Sequence, residues 1–290
     1  MRNRFTAFVI ALLLLPPLAL TLAGQEWQPP APLEGSAWLP AFFATGIVIL
    51  FGALLDMLTF RRTGHSLWRA QRSYLLWCAV AGAILGMLLA WLNLFADSWA
   101  TPSASASASL LFAMLCATTL LPAVLITRLW LSGLLKLVTR RLALPALPAE
   151  AAAKSLLLAA FIGLMVGPIH IEHLGWLFWL SPLLLLVALQ LLWNESTVFD
   201  GLQQGDWSRL LLGALSGILV CGIALATYRA GGGNIYLAAE TWQLLYGFAL
   251  FGLLCLQIGD IVAEHWRGKP RGEVFKRKPF PISVVTKKDQ

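Results

Sequence analysis

Long apolar stretches separated by short polar connections dominate the chain and predict eight membrane-spanning helices. A helix needs about 20 apolar residues to cross the hydrocarbon core of a bilayer. We expect helices because lipid offers no partner for unpaired backbone groups, and the sequence lacks the period-2 alternation of a membrane β-barrel. The predicted spans are residues 5–23, 38–60, 74–95, 109–128, 155–170, 174–193, 209–228 and 240–263.

Two of these spans allow a second interpretation. The fifth is short and ends at Gly167-Pro168, so it either crosses fully or forms a helical hairpin with the sixth that enters deeply without crossing. The first follows Arg2 and Arg4 and has the apolar core of a signal peptide, with a cleavage point after Ala23 or Gly24. Pro16-Pro17 interrupts that core, which favours an uncleaved anchor over removal and seven remaining spans.

Composition agrees with a polytopic membrane protein. Hydrophobic residues make up 59% of the 290 residues and charged residues 12%, and the mean hydropathy is +0.75. A soluble domain carries about 25% charged residues. Eight crossings use nearly the whole chain, so we expect an all-α transmembrane bundle with no soluble domain of useful size.

The distribution of cations predicts that both termini lie in the cytoplasm. With the N-terminus inside, Arg229 is the only one of the 21 Lys and Arg residues placed outside. Such a bias across short loops is the positive-inside signal. We therefore expect four parts: 1–141 with spans one to four and an amphipathic extension, a proline-spaced linker at 142–154, 155–266 with spans five to eight, and a basic tail at 267–290.

Two basic segments are candidates for contact with anionic lipids of the inner leaflet. In the extension, cations recur along one side of a predicted helix. This segment either continues the fourth helix beyond the membrane, with its cations snorkelling to the headgroups, or forms a separate interfacial helix. The tail has a net charge of +6, and its prolines exclude a long helix. No aromatic stacking platform accompanies the charge, so no nucleic acid is expected. The contact residues are Arg128, Lys136, Arg140, Arg141, Lys276, Arg277 and Lys278.

The sequence contains one combination of residues typical of metal chemistry. His170, Glu172 and His173 follow the fifth span on the outer side, and the two histidines are spaced to share a helix face. The spacing is not the HExxH of zinc hydrolases, and the alternative is a polar turn at the water interface. The cysteines lie within spans without CxxC spacing, and we expect no cofactor.

Three acidic residues lie near the ends of predicted spans. These are Asp56 in the second span and Asp260 and Glu264 at the end of the eighth. Ionisable groups within spans are functional candidates. The alternative is that all three pair with nearby cations such as Arg61 or Arg267, because they are close to the interface.

A resemblance covers residues 174–221. Phe178-Trp179 with Ser181-Pro182, followed by Gly205-Asp206-Trp207-Ser208-Arg209 entering a helix, resembles a family of uncharacterised bacterial multi-pass membrane proteins. The family's next helix carries a Trp-Glu-x-Trp-Asn type motif, which residues 222–228 (GIALATY) lack. The resemblance implies a bacterial inner membrane and no particular activity.

Three classes of function are compatible with these features. A non-enzymatic helper, scaffold or subunit of a membrane assembly is favoured, because no charge lies near a span midpoint and no soluble domain remains. A transporter or channel for a neutral or lipid-like solute would use kinks at Pro122 and Pro182 and the Gly167-Pro168 break. A membrane enzyme would use His170, Glu172 and His173.

The predicted topology can be checked with reporter fusions. We expect fusions after residues 66, 146, 203 and 285 to report a cytoplasmic location, and fusions after 32, 104 and 234 a periplasmic one, because the cations segregate so cleanly. A periplasmic signal after residue 146 would contradict the arrangement of four spans on each side of the linker.

Overall fold

The computed structural model describes residues 2–24, 38–102, 105–134, 149–193, 195, 197–202, 205–238 and 240–267. Within these residues the chain forms nine helices and one two-stranded antiparallel sheet. In chain order they are α1 (Arg2–Leu22), α2 (Trp38–Thr63), α3 (Leu67–Ala70), α4 (Arg72–Ala96), β1 (Trp99–Ala100), α5 (Ala106–Leu134), α6 (Ala149–Val166), α7 (Ile171–Leu192), α8 (Ser208–Ala230), β2 (Tyr236–Leu237) and α9 (Thr241–Arg267).

Six helices in the described ranges are long and apolar enough to cross a membrane, namely α2, α4, α5, α7, α8 and α9. The prediction of an all-α multi-pass membrane protein is confirmed at this level. The other two predicted spans correspond to α1, whose apolar part Thr6–Leu22 is shorter, and to α6. At 18 residues α6 is about 27 Å long, close to the roughly 30 Å of a hydrocarbon core. The eight-span count and the orientation stay predictions.

The helix α6 begins six residues earlier than predicted, and the linker at 142–154 is wrong in its second half. Residues 149–154 form the first turns of α6. Their sequence, AEAAAK, consists of strong helix formers, and Lys154 Nζ lies 2.7 Å from Glu150 Oε1 one turn away. Proline-rich composition at 142–148 therefore set the predicted boundary too late.

The helices pack as three antiparallel hairpins, α4 with α5, α6 with α7, and α8 with α9. Each hairpin has a GxxxG motif in its first helix or at the end of it: Gly82 with Gly86 in α4, Gly163 with Gly167 directly after α6, and Gly213 with Gly217 in α8. Apolar attraction does not draw helices together in lipid, so small residues that permit close backbone approach determine which helices associate. The sequence contained this signal, but the prediction did not use it.

The hairpin contacts leave no space for a side chain at the central glycines. A Cβ on Gly86 would lie 2.5 Å from the Ala117 methyl group, and one on Gly82 would lie 3.0 Å from Leu121 Cβ. Between α8 and α9, a Cβ on Gly217 would lie 2.6 Å from Gly252 Cα. Because these contacts involve backbone or Cβ atoms, the neighbouring helix cannot move aside cheaply.

The three hairpins and α2 form one interleaved bundle, not two separate halves. The helix α8 packs against both α2 and α5, and α1 packs against α4, α6 and α7. Within α7 every residue from Ser181 to Gln190 is buried, as expected of a helix surrounded by others. In α1, Phe8 and Leu12 are fully buried in the shared core.

The bundle has two ends of different character. At the first, here called the sheet end, β1 pairs with β2, and the Trp179 indole nitrogen donates to Ser98 Oγ at 3.0 Å. At the second, here called the basic end, α2, α5, α7 and α9 finish and α4, α6 and α8 begin. Among the described residues from 38 onward, Arg229 is the only cation at the sheet end.

Glycine substitution tests the hairpin packing. Gly82→Leu should lower the free energy of unfolding in detergent by roughly 1–3 kcal/mol, because the added side chain meets Ala117 and Leu121. The matched control is Gly46→Leu in α2, where a Cβ meets nothing within 4 Å. Equal destabilisation by both variants would contradict a specific role for the α4–α5 contact.

Candidate functional site

Polar side chains buried at the basic end form the candidate functional site. They come from elements that are distant in sequence, and the bundle brings them to one level. The members are Asp56 in α2, Tyr74 in α4, Arg128 in α5, Gln190 in α7, Arg209 in α8, and Gln257, Asp260 and Glu264 in α9. We call this set the polar layer.

Asp56 fastens the short helix α3 to the side of α2. Its Oδ1 accepts from the backbone N–H groups of Leu67 at 3.0 Å and Trp68 at 3.4 Å, and its Oδ2 accepts from the Ser66 hydroxyl. Ser66 Oγ in turn accepts from Arg69 N at 3.1 Å. The first three amides of α3, which have no partner inside the helix, are therefore satisfied by side chains.

This arrangement corrects the predicted pairing of Asp56 with neighbouring cations such as Arg61. The carboxylate is 7% exposed and bonded to a hydroxyl and two amides, so its polar contacts are used in capping. A turn after α2 brings α3 back over it. The proximity of Arg61 in sequence gave no indication of this turn.

Asp260 does pair with a cation, and that cation comes from another helix. Arg209 Nη2 donates to Asp260 Oδ2 across the α8–α9 contact. Both side chains are largely buried, at 10% and 18% exposure. Glu264, one turn beyond Asp260, is 2% exposed. Asp260 therefore pairs with Arg209 of another helix, a partner that the sequence analysis did not name.

Two glutamines link α7, α9 and the α7–α8 connection. Gln257 donates through Nε2 to Gln190 Oε1 and accepts at Oε1 from the backbone N–H of Val198 at 2.6 Å. Both side chains are buried, as are Thr197 and Val198 in the connection. The connection therefore enters the bundle and is held there by an amide side chain.

Tyr74 and Arg128 complete the polar layer. The Tyr74 hydroxyl donates to the carbonyl oxygen of Gly259 at 3.1 Å, which joins the start of α4 to the end of α9. Arg128 is half-buried on α5, and its Nε is buried without a hydrogen-bond partner among the described residues. The helix α5 continues to Leu134, beyond the predicted end at 128, which agrees with the first interpretation of the basic extension as far as that residue.

The predicted metal cluster lies at the other end of the bundle, on the surface. His170 is the N-cap of α7, and Glu172 and His173 lie in its first turn, with all three side chains exposed. The turn closes through His170 N, which donates to Val166 O at 3.0 Å. In the part of the chain that the structure describes, no group of three His, Cys, Asp or Glu side chains is arranged to hold a metal ion.

The remaining predicted contact residues lie outside the described residues. They are Lys136, Arg140 and Arg141 in the extension and Lys276, Arg277 and Lys278 in the tail. Their contact with anionic lipid stays a prediction.

Sequence analysis missed the two glutamines. Polar side chains within an apolar span are costly unless bonded, so Gln190 and Gln257 carry the same signal as the acidic residues, in a weaker form. Restricting the search to ionisable side chains left them out. The Val198 amide, which donates to Gln257, has no sequence signal.

Comparison with known proteins gives no relative for this chain. No protein-family model matches it, and no curated protein or solved structure shows significant similarity to it.

Double-variant measurements test the ion pair between Arg209 and Asp260. Arg209→Met and Asp260→Asn should each lower the free energy of unfolding by roughly 3 kcal/mol, because each removes the opposite charge that faces a largely buried ion. The double variant should lose clearly less than the sum.

The exposed pair of Glu150 and Lys154 is the matched control for this measurement. Its side chains are 74% and 70% exposed, so Lys154→Met should change stability by less than about 1 kcal/mol. Additive effects of Arg209→Met and Asp260→Asn would show that the two groups do not stabilise one another.

Proposed function

We propose that this protein is a non-catalytic component of a bacterial inner-membrane assembly, acting as a helper, scaffold or subunit. One observation carries the proposal: most members of the polar layer are bonded to another element of the same bundle. Asp56 caps α3, Arg209 pairs with Asp260, Gln257 bonds Gln190 and Val198, and Tyr74 bonds Gly259.

These bonds hold elements of the bundle together. Each joins two elements that are neighbours in space and separated in sequence, and each satisfies a polar group that would otherwise be costly at membrane depth. A group used in this way fixes the positions of the helices that it joins. A rigid bundle of this kind suits a part whose role is to present helix faces to lipid and to other subunits.

The helix α2 presents such a face. Leu39, Phe42, Leu50 and Leu54 recur at helical spacing and are between 49% and 77% exposed. A lipid-facing surface has this composition, and so does a surface that meets another membrane subunit. The face runs along most of α2, which is long enough for a helix of a partner to pack beside it.

The transporter alternative has less support, because the helix breaks that it would use are not found at the two prolines. Pro122 lies within α5 and Pro182 within α7, and both helices continue through these positions. Transport folds with midplane binding sites commonly use discontinuous helices, whose free backbone groups bind the solute. The tight turn after α6 remains as the feature that favours this alternative.

Purification in a mild detergent separates the three classes. The proposal predicts a stoichiometric membrane-protein partner that survives affinity purification of the full-length chain. Monodisperse protein without a partner would favour a transporter or channel. Near-stoichiometric metal in the same sample, lost in a His170→Ala and His173→Ala double variant, would favour an enzyme.

A further inference from the structure

The segment between α2 and α4 carries a cluster of exposed positive charge. Residues 61–72 include Arg61, Arg62, Arg69 and Arg72 and no acidic side chain. All four arginines are exposed. Within the residues that the structure places, none of the four forms an ion pair. We call these residues the arginine segment.

Asp56 gives the arginine segment a defined position without neutralising it. The carboxylate lies beneath the segment, buried, and accepts from Ser66, Leu67 and Trp68. Two of the arginines are held by further local contacts. The Arg69 guanidinium lies 4.2 Å from the centroid of the Phe60 ring, and Arg72 Nε donates to Trp68 O at 3.3 Å.

An exposed apolar surface adjoins this charge. Trp68 in α3 is 59% exposed, and Leu76 and Trp77, one turn into α4, are 67% and 59% exposed. Tryptophan side chains with this exposure concentrate at the level of the headgroups, where one edge of the ring is wet and the other apolar. This pattern places the neighbouring arginines at the expected level of the lipid phosphate groups.

We propose that the arginine segment, positioned by Asp56, is a binding surface for the headgroups of anionic phospholipids. Guanidinium groups bind phosphate oxygens through paired N–H donors, and basic segments next to a span attract anionic lipid. A phospholipid matches both parts of the surface, because its phosphate meets the arginines while its acyl chains meet Leu76 and Trp77. An acidic protein segment would match only the charge.

The test measures lipid selectivity on the purified full-length protein. Phosphatidylglycerol and phosphatidylcholine are titrated separately and bound lipid is counted by native mass spectrometry. The variant with Arg61→Gln, Arg62→Gln, Arg69→Gln and Arg72→Gln should lose about tenfold or more of the preference for phosphatidylglycerol. The same four positions changed to Lys should keep most of it, and helix content and monodispersity identify any misfolded variant.

A control variant removes charge elsewhere. Lys154→Gln with Arg229→Gln takes away two exposed cations outside the arginine segment and should leave the preference within about twofold, since surface charge acts within a Debye length. An unchanged preference in the four-glutamine variant overturns the proposal. A second result would also overturn it: wild-type protein purifies with an acidic protein partner, the four-glutamine variant loses that partner, and both bind equal amounts of lipid.

Asp56→Ala distinguishes positioning from simple charge. The change makes the region more positive, so attraction by net charge alone predicts a stronger preference for phosphatidylglycerol. Our proposal predicts a weaker one, by about threefold or more, because α3 loses the acceptor for its first amides. Faster tryptic cleavage within 61–72 should accompany it, with Asp97→Ala at the sheet end as the control. A stronger preference in Asp56→Ala would rule out the positioning role.

Discussion

Close approach of helix backbones at small residues is the constraint on which this fold depends. In lipid, apolar side chains gain nothing by leaving their surroundings for another helix, so association relies on dispersion contacts and hydrogen bonds. Glycines on α4, α6 and α8 remove the side chains that would hold the partner helix away, and at Gly217 the facing residue is itself a glycine. Each of these helices meets the helix that follows it in the chain, so three hairpins form from local contacts.

Hairpin packing also determines which polar groups meet. Once α8 and α9 are antiparallel, the second residue of α8 and the last third of α9 lie at the same level, which places Arg209 beside Asp260. Gln190 and Gln257 both lie toward the basic ends of α7 and α9, which run in the same direction, and their amides therefore meet. Buried polar groups at this depth are tolerated because they are bonded, and their bonds in turn prevent the hairpins from sliding along one another.

The sequence predicted the helices well and their partners poorly. Hydropathy depends on each residue and its neighbours, so the ends of the six long apolar helices were found within about four residues, except that α5 runs six residues past its predicted end. The start of α6 was missed because proline spacing outweighed the helix propensity of AEAAAK. In the polar layer, Arg209 and Asp260 are 51 residues apart, and Gln190 and Gln257 are 67 apart. Nothing in one sequence pairs residues at such separations until the packing is known.

At the basic end, the buried Arg209 is paired with an acidic side chain, whereas the exposed arginines of residues 61–72 are not, among the described residues. Arg209, which is 8% exposed, faces a carboxylate, as the cost of desolvating a cation requires. The exposed arginines of residues 61–72 have no carboxylate among the described residues, although Asp56 lies close in sequence, because Asp56 is bonded to the amides of α3. At this end Asp56 and Asp260 take part in buried contacts, whereas the four arginines of residues 61–72 are exposed and form no ion pair among the described residues. The difference in charge between the two ends therefore depends on the fold as well as on the sequence. It is maintained as long as Asp56 and Asp260 keep their buried contacts.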